Sequence, residues 1–211
     1  MHHRILTFTL AFASLSYEFC LSHAFTILFG QLVEQYIITT GLFIFFLGFG
    51  ALLYEFKVKQ NQKIRLFHIE FLLSFFGAMS VFLPFVFIDI FPFILAKWLS
   101  YSLVILIAIL SGIELPMLIN QSDNKLDTLG SDYLGMCFAG VCFPLFFLPS
   151  LGLLNTSLII ALINLLIAFY LVFKEHELKY RKYVYVAVVP ICFAVFAPNI
   201  QLYIEGVFLG Q

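Results

Sequence analysis

The sequence predicts an all-α integral membrane protein, a polytopic bundle of about seven transmembrane helices in a single membrane domain over residues 1–211. Three observations carry that prediction. The chain is 63% hydrophobic and 11% charged, where a soluble domain is about a quarter charged. Long uncharged apolar runs recur along its whole length, as spanning helices require. Those runs are continuous, whereas the strands of a membrane barrel alternate over about 10 residues. Only helices and closed barrels satisfy their own backbone polar groups inside lipid.

A span needs about 20 residues at a rise of about 1.5 Å each. Breaks at charges and at Gly/Pro clusters place the spans at approximately 5–28, 36–54, 69–88, 93–119, 132–149, 152–173 and 183–203. The first apolar run, from Ile5, is too long for the apolar core of a signal peptide and carries no small-residue cleavage site. His2 and His3 before it take no role. The polar connections HHR, EFKVKQNQKIRLFH, QSDNKLDTLGS and KEHELKYRK alternate with near-tight turns at Asp89–Pro92 and Pro149–Gly152. Pro190 and Pro198 interrupt the last span, so the tail NIQLYIEGVFLGQ either completes a crossing or lies along the outer interface.

Ten of the eleven Lys and Arg residues fall on one side of this arrangement; only Lys97 falls on the other. The positive-inside rule then puts the N-terminus in the cytoplasm and, with an odd span number, the C-terminus outside. The expected location is a bacterial cytoplasmic membrane, with the lipid bilayer as the first partner. A formal net charge of −1 leaves no basic surface for nucleic acid. Cys20, Cys137, Cys142 and Cys192 lie in apolar runs without a CxxC, and read as inert packing residues.

The acids sort by depth. Glu34, Glu55, Glu70, Asp89, Asp123, Asp127, Glu175, Glu177 and Glu205 fall in loops or at span ends, where solvation accounts for them. Three do not sort so simply. Glu18 follows Arg4 by fourteen positions, roughly 21 Å into the first helix. A charged acid near the bilayer centre costs about 2.5–3.5 kcal/mol. Ser14 and Ser22, one turn to either side, make a narrow polar stripe with it, which must face the bundle interior. Its near-duplicate context, FGALLYEF against FASLSYEF, ends in Glu55 beside Lys57 and Lys59, so the likeness is of letters only.

Glu114, in SGIELPMLIN, lies in the cytoplasmic third of the fourth span. Pro116 frees the carbonyl of Gly112 four residues earlier, so a carboxylate and an open carbonyl come together; the plain alternative is a kink with a snorkelling acid. Asp132, in LGSDYLGM, opens the fifth span and reads first as an N-cap, itself or through Ser131. Asn164 is the mid-depth polar residue of the sixth span, a hydrogen-bond partner for an acid on a neighbouring helix. Gly41, Gly48, Gly50, Gly135, Ala139 and Gly140 read as close-packing positions, and the G-F-G at 48–50 lies in a membrane helix, not in a nucleotide loop.

The text SDYLGMCFAGVCFPLFFLPSLGLLNTSLIIALINLLIAFYLVF resembles the DYxGALxG…FPxxLLPxLGL…NxxxA stretch of the membrane-bound bacterial spermidine synthase-like proteins. SGIELPML resembles their G-x-E-x-P segment, and ASLSYEF followed by GLFIFFLGFGALL their first two spans. The likeness runs in order along essentially the whole chain. Its matching positions are Tyr17, Glu18, Gly48, Gly112, Glu114, Pro116, Asp132, Tyr133, Gly135, Pro144, Pro149 and Gly152. In those relatives a soluble aminopropyltransferase half of methyltransferase-like α/β type follows the spans. This chain stops at Gln211, where that half would begin, and the tail QLYIEGVFLGQ resembles the run-in to it. No strand–Gly-loop–helix pattern, triad or metal-ligand constellation occurs here, and His23, His68 and His176 are isolated. No enzyme activity, cofactor or metal is therefore expected of this chain by itself.

Two functions compete. One is a membrane module that binds or transports a small organic cation, most plausibly a polyamine, through Glu18, Glu114 and Asp132. Tyr17, Phe19 and Tyr133 would line the path and Asn164 would assist. The other is a non-transporting anchor or scaffold subunit for a partner, such as a separately encoded aminopropyltransferase or a larger membrane complex. A third reading makes the chain the membrane half of a longer enzyme.

Overall fold

In a computed structural model the described residues are 2–59 and 64–174. They form seven α-helices: α1 (His2–Phe29), α2 (Leu32–Leu53), α3 (Leu66–Met79), α4 (Phe82–Ile90), α5 (Phe93–Gln121), α6 (Lys125–Cys142) and α7 (Leu148–Lys174). Short π-helical turns, Tyr54–Val58 and Phe143–Phe147, extend α2 and join α6 to α7. The expected seventh span, with Cys192 and both interrupting prolines, lies outside the described residues, as does His176 in the connection before it.

The helices follow from continuous apolar text broken at residues that cannot continue it. Gly30 (φ 70°) and Gln31 (φ 53°) make the left-handed turn between α1 and α2. The Arg65 backbone N–H donates to His68 Nδ1 at 3.2 Å and helps to start α3. Asn124 caps α6 by accepting from the Asp127 N–H at 3.4 Å. That cap corrects the reading of Asp132 as an N-cap: α6 begins inside the polar loop, seven residues earlier than the expected span.

Contacts give the relative directions. His3, Ser14 and Phe25 of α1 meet Leu118, Glu114 and Tyr101 of α5, so those two helices are antiparallel. Glu18 meets Thr40 and His23 meets Tyr36, so α2 also runs against α1. Arg4 pairs with Asp127 and Phe12 packs on Phe147, which makes α6 parallel to α1. Phe71 on Phe169 and Ser74 on Ala161 make α3 and α7 antiparallel. The stretch from Lys125 to Lys174 is 50 residues long and doubles back at Gly152 (φ 74°, ψ 175°). Thr156 Oγ1 donates to the Phe147 carbonyl at 3.2 Å, across nine residues that a straight helix would hold about 13 Å apart. α3 and α4 meet at a 53° bend near Ser80.

Among the described residues, four helical stretches are long and apolar enough to cross a membrane, or five with the bent pair taken as one span. α2 shows why lipid is the solvent. Ile37, Ile44, Phe45, Phe49 and Leu52 point outward and exposed, which water would not tolerate along one helix. On its inner side Gly50 and Gly112 let α2 and α5 touch backbone to backbone. A Cβ on Gly112 would lie 2.1 Å from the Leu47 carbonyl oxygen, and one on Gly50 2.4 Å from that of Ile109. Gly135 does the same for α6 against Phe8 of α1. Gly41, Gly48 and Gly140 have open space beside them instead, so those three are not close-packing positions.

Candidate functional site: a buried acidic cluster

Five helices place polar side chains at one point inside the bundle. Ser14 and Tyr17 come from α1, Glu70 from α3, Ser111 and Glu114 from α5, Asp132 from α6 and Asn164 from α7. All are buried, and Tyr17 and Glu70 are wholly inaccessible. Ser14 Oγ donates to Glu114 Oε2 at 3.2 Å, and Asn164 Nδ2 donates to the Tyr17 hydroxyl at 3.4 Å. Glu70 and Glu114 bring their carboxyls together, and Tyr17 lies within electrostatic reach of both.

Local sequence explains the convergence. Glu70, Ser74 and Gly77 fall at i, i+4 and i+7 on one face of α3. Gly77 leaves room for the Tyr17 ring, since a Cβ there would lie 2.3 Å from Cζ. Gly112 holds α5 against α2, and the interior Pro116 follows Glu114 by two residues.

Between α1, α5 and α6 the cluster opens on a cavity of about 20 Å³ lined by Ser14, Ser111, Glu114 and Asp132. Among the described residues no basic side chain lines it. Glu70 Oε1 and Oε2, Ser111 Oγ, Glu114 Oε1, Asp132 Oδ2 and Asn164 Oδ1 are buried without a hydrogen-bond partner among those residues. Six orphaned oxygens in one cluster are many, because a buried polar atom left unpaired costs about 1–3 kcal/mol. Such an arrangement can take up protons or cationic donors. No three His, Cys, Asp or Glu groups among the described residues are set to hold a metal ion.

The structure treats the expected site residues differently. Glu114, Asp132, Tyr17 and Asn164 enter the cluster. Glu18 does not: it is 3% exposed and accepts a hydrogen bond from Thr40 Oγ1 of α2 at 2.5 Å. Tyr133 is 65% exposed on the outer face of α6, and Phe19 packs on Phe143, so neither lines the cavity. Glu70 corrects the sequence reading most. It was assigned to a solvated span end, yet it is completely buried because α3 starts at Leu66 and turns that face inward. The stripe of Glu70, Ser74 and Gly77 was the available signal.

No family model matches the chain, and no solved structure matches it either. Curated proteins do. It is 33% identical over 160 residues to the polyamine aminopropyltransferase of Oceanobacillus iheyensis, which covers 68% of this chain and 31% of that protein. It is 30% identical over 164 residues to the polyamine aminopropyltransferase of Leptospira interrogans, covering 73% and 32%. Against polyamine aminopropyltransferase 2 of Aquifex aeolicus it is 27% identical over 217 residues, covering 99% and 44%. The chain is related in sequence to these transferases and spans about a third of the length of the first of them. The expectation of no enzyme is thereby corrected. The relatives are named as enzymes, and a search for catalytic residues confined to this stretch sees only part of such a protein.

Proposed function

We propose that this chain is the membrane-embedded part of polyamine-handling machinery tied to aminopropyl transfer, and that its buried carboxylates receive a small organic cation, a polyamine. One observation carries the reading: Glu114 lies beside both Glu70 and Asp132 inside the bundle, with no basic side chain at the cavity among the described residues. A protonated amine supplies both the missing charge and the missing donors, through charge-assisted hydrogen bonds. The relatives' names supply the chemical class. The basic residues at one set of helix ends support a cytoplasmic N-terminus in a bacterial inner membrane. Movement of the cation across the membrane, with protons exchanged at the carboxyls, is the fuller form of the same proposal.

Uptake of radiolabelled putrescine and spermidine into proteoliposomes tests it. Uptake should be seen with the wild-type chain and be lost in a Glu70→Gln/Glu114→Gln double variant. Equal uptake by both, or none above empty vesicles by either, defeats the transport form.

The second reading, an anchor for a catalytic partner or catalytic part, draws on the outward apolar faces of α2 and α6 and on the greater length of the relatives. Co-purification after mild detergent extraction discriminates: a stoichiometric aminopropyltransferase favours the anchor, and a lone chain disfavours it.

A further inference from the structure

Two hydroxyls line the cavity and differ: Ser14 donates to Glu114, whereas Ser111 has no partner among the described residues, a state shared only with the buried Ser22 and Thr39 hydroxyls, which do not line it. Several other buried hydroxyls fold back on their own helix. Ser16 donates to the Phe12 carbonyl at 2.7 Å, Ser100 to Ala96 at 2.8 Å, Thr7 to His3 at 3.0 Å and Ser157 to Leu154 at 2.8 Å. Ser111 is 5% exposed, lines the cavity, and its Oγ has no hydrogen-bond partner among the described residues. Glu114 Oε1 and Asp132 Oδ2 are orphaned on two further lining residues. Three of the residues that line this space of about 20 Å³ therefore each carry an unpartnered oxygen, two of them carboxyl oxygens.

We infer that this cavity is the seat of a single primary ammonium group, R–NH₃⁺, held by Ser111, Glu114 and Asp132. The inference rests on the cation-binding reading above and narrows it to a head-group chemistry. A primary ammonium carries three N–H donors and no acceptor, which matches three orphaned acceptors one for one. The volume is that of about one small group, since a cavity must offer about 10–15 Å³ to hold a water. Each N-methyl would remove a donor and leave one of the three acceptors unpaired. A quaternary ammonium, with no donor at all, is recognised by aromatic faces, and no aromatic side chain lines this cavity among the described residues. Leu10, Leu47, Leu118 and Met136 form its other walls, a fit for the methylenes of an alkylamine. The second charge of a diamine must lie beyond this cavity.

Calorimetric titration of the full chain in lipid nanodiscs tests the seat, with ammonium, methylammonium, tetramethylammonium and putrescine chlorides as probes. Methylammonium and putrescine should bind, and tetramethylammonium at least tenfold more weakly. Ser111→Ala, which removes one oxygen from a small side chain, should weaken methylammonium about tenfold, as loss of one hydrogen bond to a charged group does. Asp132→Asn, checked for an unchanged elution volume, should weaken it at least as much. Tighter ammonium than putrescine would identify the free ion as the source of the group; the reverse identifies an amine. Putrescine binding that tetramethylammonium matches, and that both variants leave unchanged, overturns the seat while leaving polyamine binding elsewhere. Methylammonium binding that Ser111→Ala abolishes, without putrescine binding, keeps the seat and defeats the polyamine reading. Silence from every probe defeats both.

Discussion

Glu18 on α1 and Glu114 on α5 are both buried, and Ser14, one turn before Glu18, touches Glu114. Their surroundings differ in one respect. Glu18 has Thr40 Oγ1 at 2.5 Å and no second acid beside it among the described residues. Glu114 has one weak donor, Ser14, and faces Glu70 and Asp132. The first is an acid that the fold has accommodated. The second belongs to a group for which the fold supplies too few donors, and buried groups left so are retained for a ligand or a proton. Depth inside the bundle alone therefore does not mark a site; the unmet hydrogen-bonding capacity does.

The largest effect should come from breaking the seam that presents Glu114. Gly112→Ala drives a methyl against the Leu47 carbonyl and should destabilise the bundle by about 3 kcal/mol, the upper range for overpacking. Thermal unfolding in detergent would read it. Next, Thr40→Val should turn Glu18 into an orphan like Glu114, at about 1–3 kcal/mol. The double variant Thr40→Val/Glu18→Leu should recover most of that loss, because both partners are then apolar. If the single variant is neutral, the contrast between the two acids fails.

A smaller effect of opposite sign is expected in the cluster. Glu70→Gln gives Glu114 an amide donor in place of a competing carboxyl, and should stabilise the protein by about 1 kcal/mol while removing cation binding. Glu18→Gln should change stability by less than about 0.5 kcal/mol, since the amide oxygen still accepts from Thr40. Glu55→Gln should give no measurable change in unfolding, because Glu55 and Lys59 form an exposed pair at the helix end.

The spans were legible because lipid demands long apolar text, and α1, α2 and α5 fall where the runs predict them. Glu18 was legible as an acid too far from any helix end to be solvated, and Glu114 as one beside an interior proline. Glu70 was not, because the basic loop before it made it look interfacial, and three residues of extra helix were enough to bury it. Asp132 looked like a cap because the polar text LDTLGS conceals the first two turns of α6, which Asn124 in fact begins. Tyr17 and Tyr133 both stand beside an acid in the sequence. Only the packing of α1 against α2, α5, α6 and α7 turns Tyr17 inward, onto Gly77 of α3, while the outer face of α6 leaves Tyr133 to the lipid. The meeting of Glu70 with Glu114 depends on Gly77 and Gly112, whose close approaches are tertiary facts that no periodicity announces.

The central claim is that the Glu70–Glu114–Asp132 cluster, and not Glu18, receives an organic cation. Equilibrium binding of radiolabelled putrescine to the full chain in nanodiscs, compared between Glu114→Gln and Glu18→Gln, tests it most directly. Binding should fall at least about tenfold in the first variant, as loss of a charged partner implies, and stay within about twofold in the second. Loss of binding in Glu18→Gln with Glu114→Gln unaffected would contradict it.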